Sequence, residues 1–405
     1  MTRVSPRALP YGRQTIDDED VAAVVAALRG DWLTQGPTVA RFEEALAERC
    51  GAPYCVAVSS GTAALHLASM VAGVRPGTGG VTSDMTFAAS ANGLLYCGGS
   101  EALADVEVGT ALATPSTMRA AAGALEESGV PVRALVPVDY AGSVADLPGI
   151  AALARELGAR VIEDAAHSLG ATYTHEGRVY RAGSCEHSDF AILSFHPVKH
   201  ITTIEGGAVL TRDEGAYREL LELRSHGITR DPTRMSKNDG PWYYEQVALG
   251  YHYRIGDVPC ALGLSQLGRL EQFLERRRAI VARYAAAISS GRLSTVLEPL
   301  AVPVGVHSAH HLYVVRLLRR RGESNGEIAI RRLELHAALK DAGIHAQVHY
   351  VPVHHHPVHH AALRASELEG AEDHYARCLS LPLFPTLEDE DVDRVVETLE
   401  RILLP

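Results

Sequence analysis

Apolar residues recur at helical spacing from the start of the chain. In IDDEDVAAVVAALRG, Val21, Val24, Val25 and Leu28 share one face, Asp17 is placed to cap the start and Gly30 to end it. Pro37 opens a second helical pattern through Val39, Phe42 and Leu46 to a stop at Gly51. Short apolar runs then alternate with helical stretches: YCVAV before TAALHLASMVAG, GGVTS before FAASANGLLYCG, RALVPV before LPGIAALARELG, then ARVIED, DFAILS and GAVLTR. This alternation predicts βαβ crossovers, hence an α/β fold with a mainly parallel central sheet and helices on both faces. In such sheets ligands collect beyond the carboxyl ends of the strands.

Around Tyr251 to Gly263 the pattern changes. ALGLSQLGRLEQFLERRRAIVARYAAAIS reads as one long helix, followed by HLYVVRLL, a helix across IRRLELHAALKDAG and a terminal helix in DEDVDRVVETLERILL. The expected division is residues 1–258, an N-terminal arm and a large cofactor-binding domain, and residues 259–405, a smaller α+β C-terminal domain. Two units are also what 405 residues predict, because one core of that size is uncommon.

The formal charge of −11 argues against nucleic acid or an anionic membrane surface as partner, so an anionic substrate must be held by a few local groups. Six cysteines form no CxxC pair and no framework, which predicts a reducing, cytoplasmic setting. No apolar core of a signal peptide opens the chain, and no stretch stays apolar for the ~20 residues that a membrane-spanning helix needs.

Three segments carry candidate chemistry. VAVSSGTAALHLA, Val56 to Ala68, is a strand, a small-residue turn and a helix, an arrangement whose free N–H groups favour a phosphate; a plain tight turn is its ordinary reading. VIEDAAHSLGA places Asp164 at a strand end, either as a helix cap or as partner to a cofactor's ring nitrogen. SFHPVKHITTIEGGAV sets Ser194 and Lys199 just past another strand end. Anion cradle, carboxylate and amine in that order are what a pyridoxal phosphate (PLP) site requires, and jointly they are more specific than any one alone.

With WLTQGPTVARFEEAL, GYHYRIGD, ALGLSQL, QVHYVPVHHHP and SLPLFPTLEDEDVDRV added, the chain resembles, nearly end to end, the DegT/DnrJ/EryC1/StrS sugar aminotransferases. These belong to fold type I of the PLP enzymes, the aspartate aminotransferase fold. The motifs look most like the pseudaminic-acid branch, which uses L-glutamate to aminate C4 of a UDP-linked 2-acetamido-2,6-dideoxy-4-keto-hexose. The resemblance makes Lys199 the cofactor-bearing acid/base and Asp164 the partner of the pyridine nitrogen. It puts His167 near the phenolic oxygen, Phe87 on the ring, and Thr62, Ala63 and Ser194 at the phosphate. It also implies a homodimer in which His252 reaches a neighbour's phosphate, and it brings His349 and Tyr350 toward the nucleotide-sugar pocket. Arg254 is either a structural ion-pair residue or a ligand for a carboxylate or diphosphate.

Two departures stand out. The family often has glycine where this chain has Ile204, so a family loop that uses positive φ there would have to run differently; it has asparagine in place of His252. Related PLP-dependent sugar dehydratases carry histidine in place of the lysine, which leaves dehydration, C3 amination or a dTDP-sugar as alternatives, along with cofactor binding without turnover. Phe87 reads equally as core, and Trp32 as packing or pocket wall. HYVPVHHHPVHH, with His356 and His360 at helical spacing, is expected to be a solvated loop and not a metal site, since prolines interrupt it and no acidic residue is near in sequence.

Overall fold

The computed structural model describes residues 7–289, 291–365 and 367–405. Its centre is a seven-stranded sheet: β1 (Tyr54–Val58), β2 (Gly79–Ser83), β3 (Ser100–Ala104), β4 (Val132–Val136), β5 (Arg160–Asp164), β6 (Phe190–Ser194) and β7 (Gly207–Thr211), in the order β1-β7-β6-β5-β4-β2-β3. All run parallel except β7, which is antiparallel to both its neighbours. Alternate strand residues enter different cores: Val56 and Val58 pack with one cluster, Cys55 and Ala57 with another. That is why these strands read as continuous apolar runs instead of alternating ones.

Among the described residues, twelve helices surround this sheet and a smaller unit: α1 (Asp18–Arg29), α2 (Pro37–Cys50), α3 (Gly61–Val71), α4 (Ala89–Tyr96), α5 (Pro115–Glu127), α6 (Leu147–Leu157), α7 (Glu214–Arg224), α8 (Asp257–Gly268), α9 (Leu270–Ser289), α10 (Asn325–Asp341), α11 (Glu369–Arg377) and α12 (Asp389–Leu403). The smaller unit has an antiparallel sheet of Leu297–Pro299, Tyr313–Leu317 and Cys378–Leu381. Leu9–Pro10 of the N-terminal arm pairs in parallel with Ile344–His345, and Leu9 is buried in the smaller unit's core.

One local expectation is corrected. The single long helix is two, broken at Arg269; within α9, Leu270 and Leu274 join the large core and Ile280 and Tyr284 the small one. α1 is capped by Asp17 as its sequence predicts, yet its apolar face points outward, with Leu28 57% exposed. The face it buries is polar. Asp20 accepts from Gln266 Nε2 at 2.6 Å and pairs with Arg269.

Candidate active site

The carboxyl ends of β1, β2, β4, β5 and β6 converge on a cavity of about 390 Å³. Thr62, Phe87, Asp164, His167, Ser194, Lys199, His349 and Tyr350 all line it, although they span nearly 300 positions of sequence.

One end is the start of α3. Ser60 caps the helix and takes the Ala63 N–H at 3.1 Å, so the N–H groups left without intrahelical partners at the open end are those of Gly61 and Thr62. Ala63 is buried behind this opening and does not line the cavity. Close packing explains the glycines here. A Cβ on Gly207 would meet Gly61 N at 2.5 Å, and one on Gly61 would meet Ser194 Cβ at 3.1 Å. The result is a helix N-terminus without bulk in front of it, which fits a phosphate.

Asp164 lies deeper and is buried. Burial pushes its carboxyl above the usual range; against that, Ser90 Oγ donates to Oδ2 at 2.6 Å, the Ala166 N–H to Oδ1 at 3.2 Å, and the Lys199 charge favours the anion. Lys199 is affected in the opposite sense. Burial lowers its ammonium to about 8 despite the attraction of Asp164.

The imidazoles beside Lys199 are held neutral. Burial drives His167, His200 and His311 well below the ordinary histidine range and His349 to about 3, and the lysine charge adds to each effect. His167 Nε2 is 3.1 Å from Tyr350 Oη with the rings stacked, and its Nδ1 is buried without a partner. His349 Nδ1 is bound at 2.8 Å to Ser380 Oγ. Phe87, 61% exposed, is a wall of the cavity and not core, with its ring centroid 6.0 Å from that of Tyr350.

Other candidates lie elsewhere. His252 is exposed, its ring 5.3 Å from that of His226, and it does not line this chain's cavity. Arg254 sits beside the phosphate turn, bridged to Val58; among the described residues it makes no ion pair, and its Nε is buried without a partner. Trp32 is 59% exposed. Ile204 does adopt positive φ, +71°, so the loop after Lys199 keeps the left-handed turn with a β-branched residue in it.

The histidine-rich segment is only partly solvated: His355 and His360 are exposed, whereas His359 is buried. His354 Nδ1 meets Asp84 Oδ2 at 2.7 Å, and His359 Nδ1 meets Glu101 Oε1 at 2.8 Å. Residues 353–355 and 357–359 form short 3-10 turns, so the helical spacing of His356 and His360 is not realised. An acidic residue does come close: Glu372 of α11 reaches both His354 and His355.

Sequence reading overlooked Ser90, Thr86 and Tyr11. Ser90 follows Phe87 by one helical turn, a spacing that could have marked it; Tyr11 reaches the cavity only because the N-terminal arm docks on the smaller unit.

Fold and site together define a fold type I PLP-dependent aminotransferase, with an amine, a buried carboxylate and a phosphate cradle fitted to that cofactor. The chain belongs to the DegT/DnrJ/EryC1/StrS aminotransferase family, whose model matches residues 14–400. It is 34% identical over 398 residues to the spore coat polysaccharide biosynthesis protein SpsC of Bacillus subtilis, covering 98% of this chain and 97% of that one. Spr1654 of Streptococcus pneumoniae, solved in apo, PLP and PMP forms, superposes in its apo form with a TM-score of 0.84 at 28% identity over 98% of this chain and 97% of that one. Helicobacter pylori PseC, an aminotransferase involved in the biosynthesis of pseudoaminic acid, gives 0.83 at 26% identity over 98% and 99%. The protein is a sugar aminotransferase. No helix among its described residues is long and apolar enough to cross a membrane.

Proposed function

We propose that this enzyme moves the amino group of L-glutamate to C4 of a nucleotide-linked 4-keto-6-deoxy-hexose, most specifically a UDP-linked 2-acetamido-2,6-dideoxy-4-keto-hexose. The observation that carries the reaction class is the Lys199 amine in one cavity with buried Asp164. The likeness to PseC supports the choice of sugar, and lysine at position 199 disfavours dehydration.

Bound PLP supplies an electron sink for the carbanion formed at the amino-bearing carbon. Lys199 would carry the cofactor, and its amine, lowered to about 8 by burial, could both take and return a proton at neutral pH. Asp164 holds the ring nitrogen protonated, its own charge sustained by Ser90 and the Ala166 N–H. Gly61, Thr62 and Ser194 would hold the phosphate, and Phe87 and neutral His167, walls of the same cavity, would hold the ring. His349, Tyr350 and Arg254 face the sugar nucleotide or the donor carboxylate.

The proposed unit is a homodimer. Val21, Leu28, Trp32, Leu33, Trp242 and Leu249 are all exposed apolar side chains, of the kind that a second copy would cover. His252 then serves the neighbour's phosphate. The dispersed, free cysteines favour the cytoplasm.

Incubating the enzyme with glutamate and a panel of UDP- and dTDP-linked 3-keto and 4-keto sugars, then weighing the products and locating the new amine by NMR, tests this reading. A C4 amine on the UDP sugar is expected. Selective amination at C3 or on dTDP sugars, or loss of water without amination, would displace it.

A further inference from the structure

Outside the cofactor cavity, the histidine-rich segment meets α11. His355 Nε2 is 2.6 Å and His354 Nε2 3.0 Å from the same oxygen, Glu372 Oε1, and the three ligand-type atoms all lie within 4.8 Å of one another. Behind them sits Asp84, whose side chain is fully buried. Its Oδ2 is 2.7 Å from His354 Nδ1, and its Oδ1 accepts the His354 backbone N–H at 3.0 Å.

This arrangement dictates a tautomer. A carboxylate accepts hydrogen bonds and donates none, so Asp84 places the proton of a neutral His354 on Nδ1. The lone pair of Nε2 then points at a second carboxylate, Glu372, which has no proton to offer it. Two acceptors 3.0 Å apart call for a proton or a metal ion between them. A carboxylate that orients a histidine from behind so that its far nitrogen faces a metal is the usual outer support of a transition-metal site.

We propose that His354, His355 and Glu372 bind one divalent transition-metal ion of the zinc, cobalt or nickel class. Two imidazoles and one carboxylate suit these ions and do not suit magnesium or calcium, which select oxygen ligands. Ligand bonds of about 2.0–2.2 Å put neighbouring ligand atoms roughly 3.3 Å apart in a tetrahedron. His355 and Glu372 have side chains 32% and 36% exposed, so small rotations about their own bonds open that space, and solvent completes the coordination.

The ion is a clip and takes no part in the chemistry. His354 and His355 lie just after Tyr350 of the cofactor cavity, Asp84 lies just before Thr86 and Phe87, and Val353 N–H already donates to Asp84 O at 3.0 Å. Binding would tie this junction to α11.

The test uses untagged, PLP-loaded protein stripped with EDTA, desalted, and titrated with zinc sulfate and separately with cobalt chloride at pH 7.5. One ion per chain is expected, with a cobalt d–d spectrum typical of nitrogen and oxygen ligands and a rise in Tm that saturates with occupancy. His355→Ala and Glu372→Gln, both changes at solvent-facing side chains, should each weaken binding at least tenfold, while His360→Ala should leave it unchanged. The proposal is overturned if no saturable stoichiometric binding occurs, since the pair then holds only a proton. It is equally overturned if affinity survives both substitutions or falls only in His360→Ala.

Discussion

Ser90 Oγ donates to Asp164 Oδ2 at 2.6 Å, and Thr86 Oγ1 lies 2.7 Å from Ser90 Oγ in turn. This short chain of hydroxyls favours the charged form of a carboxyl that burial pushes the other way. Ser90→Ala should therefore move the acid limb of the kcat/KM profile to higher pH, with a loss on the order of tenfold at pH 6 that narrows by pH 8. Asp164→Asn should still bind PLP yet lose most of the glutamate half-reaction at every pH. An unshifted profile in Ser90→Ala would show that the hydroxyl is packing only.

Lys199 should be the residue that carries PLP. Borohydride reduction of loaded enzyme should fix cofactor mass on Lys199 in a peptide digest, and the rate at which apoprotein captures PLP should rise with pH through about 8, where the buried amine loses its proton. A label on Lys237 or Lys340 would refute the assignment.

Burial raises the Glu163 carboxyl to about 7, with the neighbouring Asp164 charge adding to the effect, against opposing hydrogen bonds from Gly183 N–H and Ser188. A raised acid holds a proton in the folded state that the unfolded chain has already released. Its contribution is thus fully present below the ordinary glutamate range and is lost as pH rises through about 7. Glu163→Gln should flatten this slope, leaving the part that the likewise buried and raised Asp139 carries, and gain on the order of 1–3 kcal/mol over wild type at pH 8. Urea unfolding from pH 5 to 8.5 measures it; parallel profiles would rule it out.

Ile204 holds φ at +71° and is 61% exposed, so its strain is not offset by burial. Left-handed backbone costs a residue with a Cβ about 1–2 kcal/mol. Ile204→Gly should stabilise the fold by up to about 1 kcal/mol once glycine's greater freedom in the unfolded chain is counted, whereas Ile204→Val should gain nothing. Urea midpoints distinguish the two.

His252 should act across the proposed dimer. Mixing Lys199→Ala with a His252→Ala variant that no longer holds PLP, after demonstrated subunit exchange, should restore activity in heterodimers that contain one site with both native residues. No recovery would place His252 in its own subunit's chemistry.

Local signals were legible because they depend on neighbours in sequence. Asp17 caps α1, Pro37 and Gly51 bound α2, and strand-end positions for Asp164, Ser194 and Lys199 follow from the alternation of apolar runs and helices. Resemblance to the family then supplied their roles and the cavity they share. What the chain alone left open was decided by contacts between distant segments. Ser90 meets Asp164 across 74 positions and Tyr350 meets His167 across 183, distances that no periodicity encodes. The orientation of α1's apolar stripe was set by Asp20 locking onto Gln266 and Arg269, about 250 residues away, with Val21 and Leu28 at the surface. Glycine freedom likewise yielded to context at Ile204, where the surrounding loop imposes positive φ on a residue that resists it. The histidine run kept its composition but lost its helical spacing, since prolines broke it into turns and α11 brought Glu372 to its edge. Propensity and capping act over a few residues, so sequence determined the elements; packing chose which faces meet, because only the closed fold brings those side chains within reach.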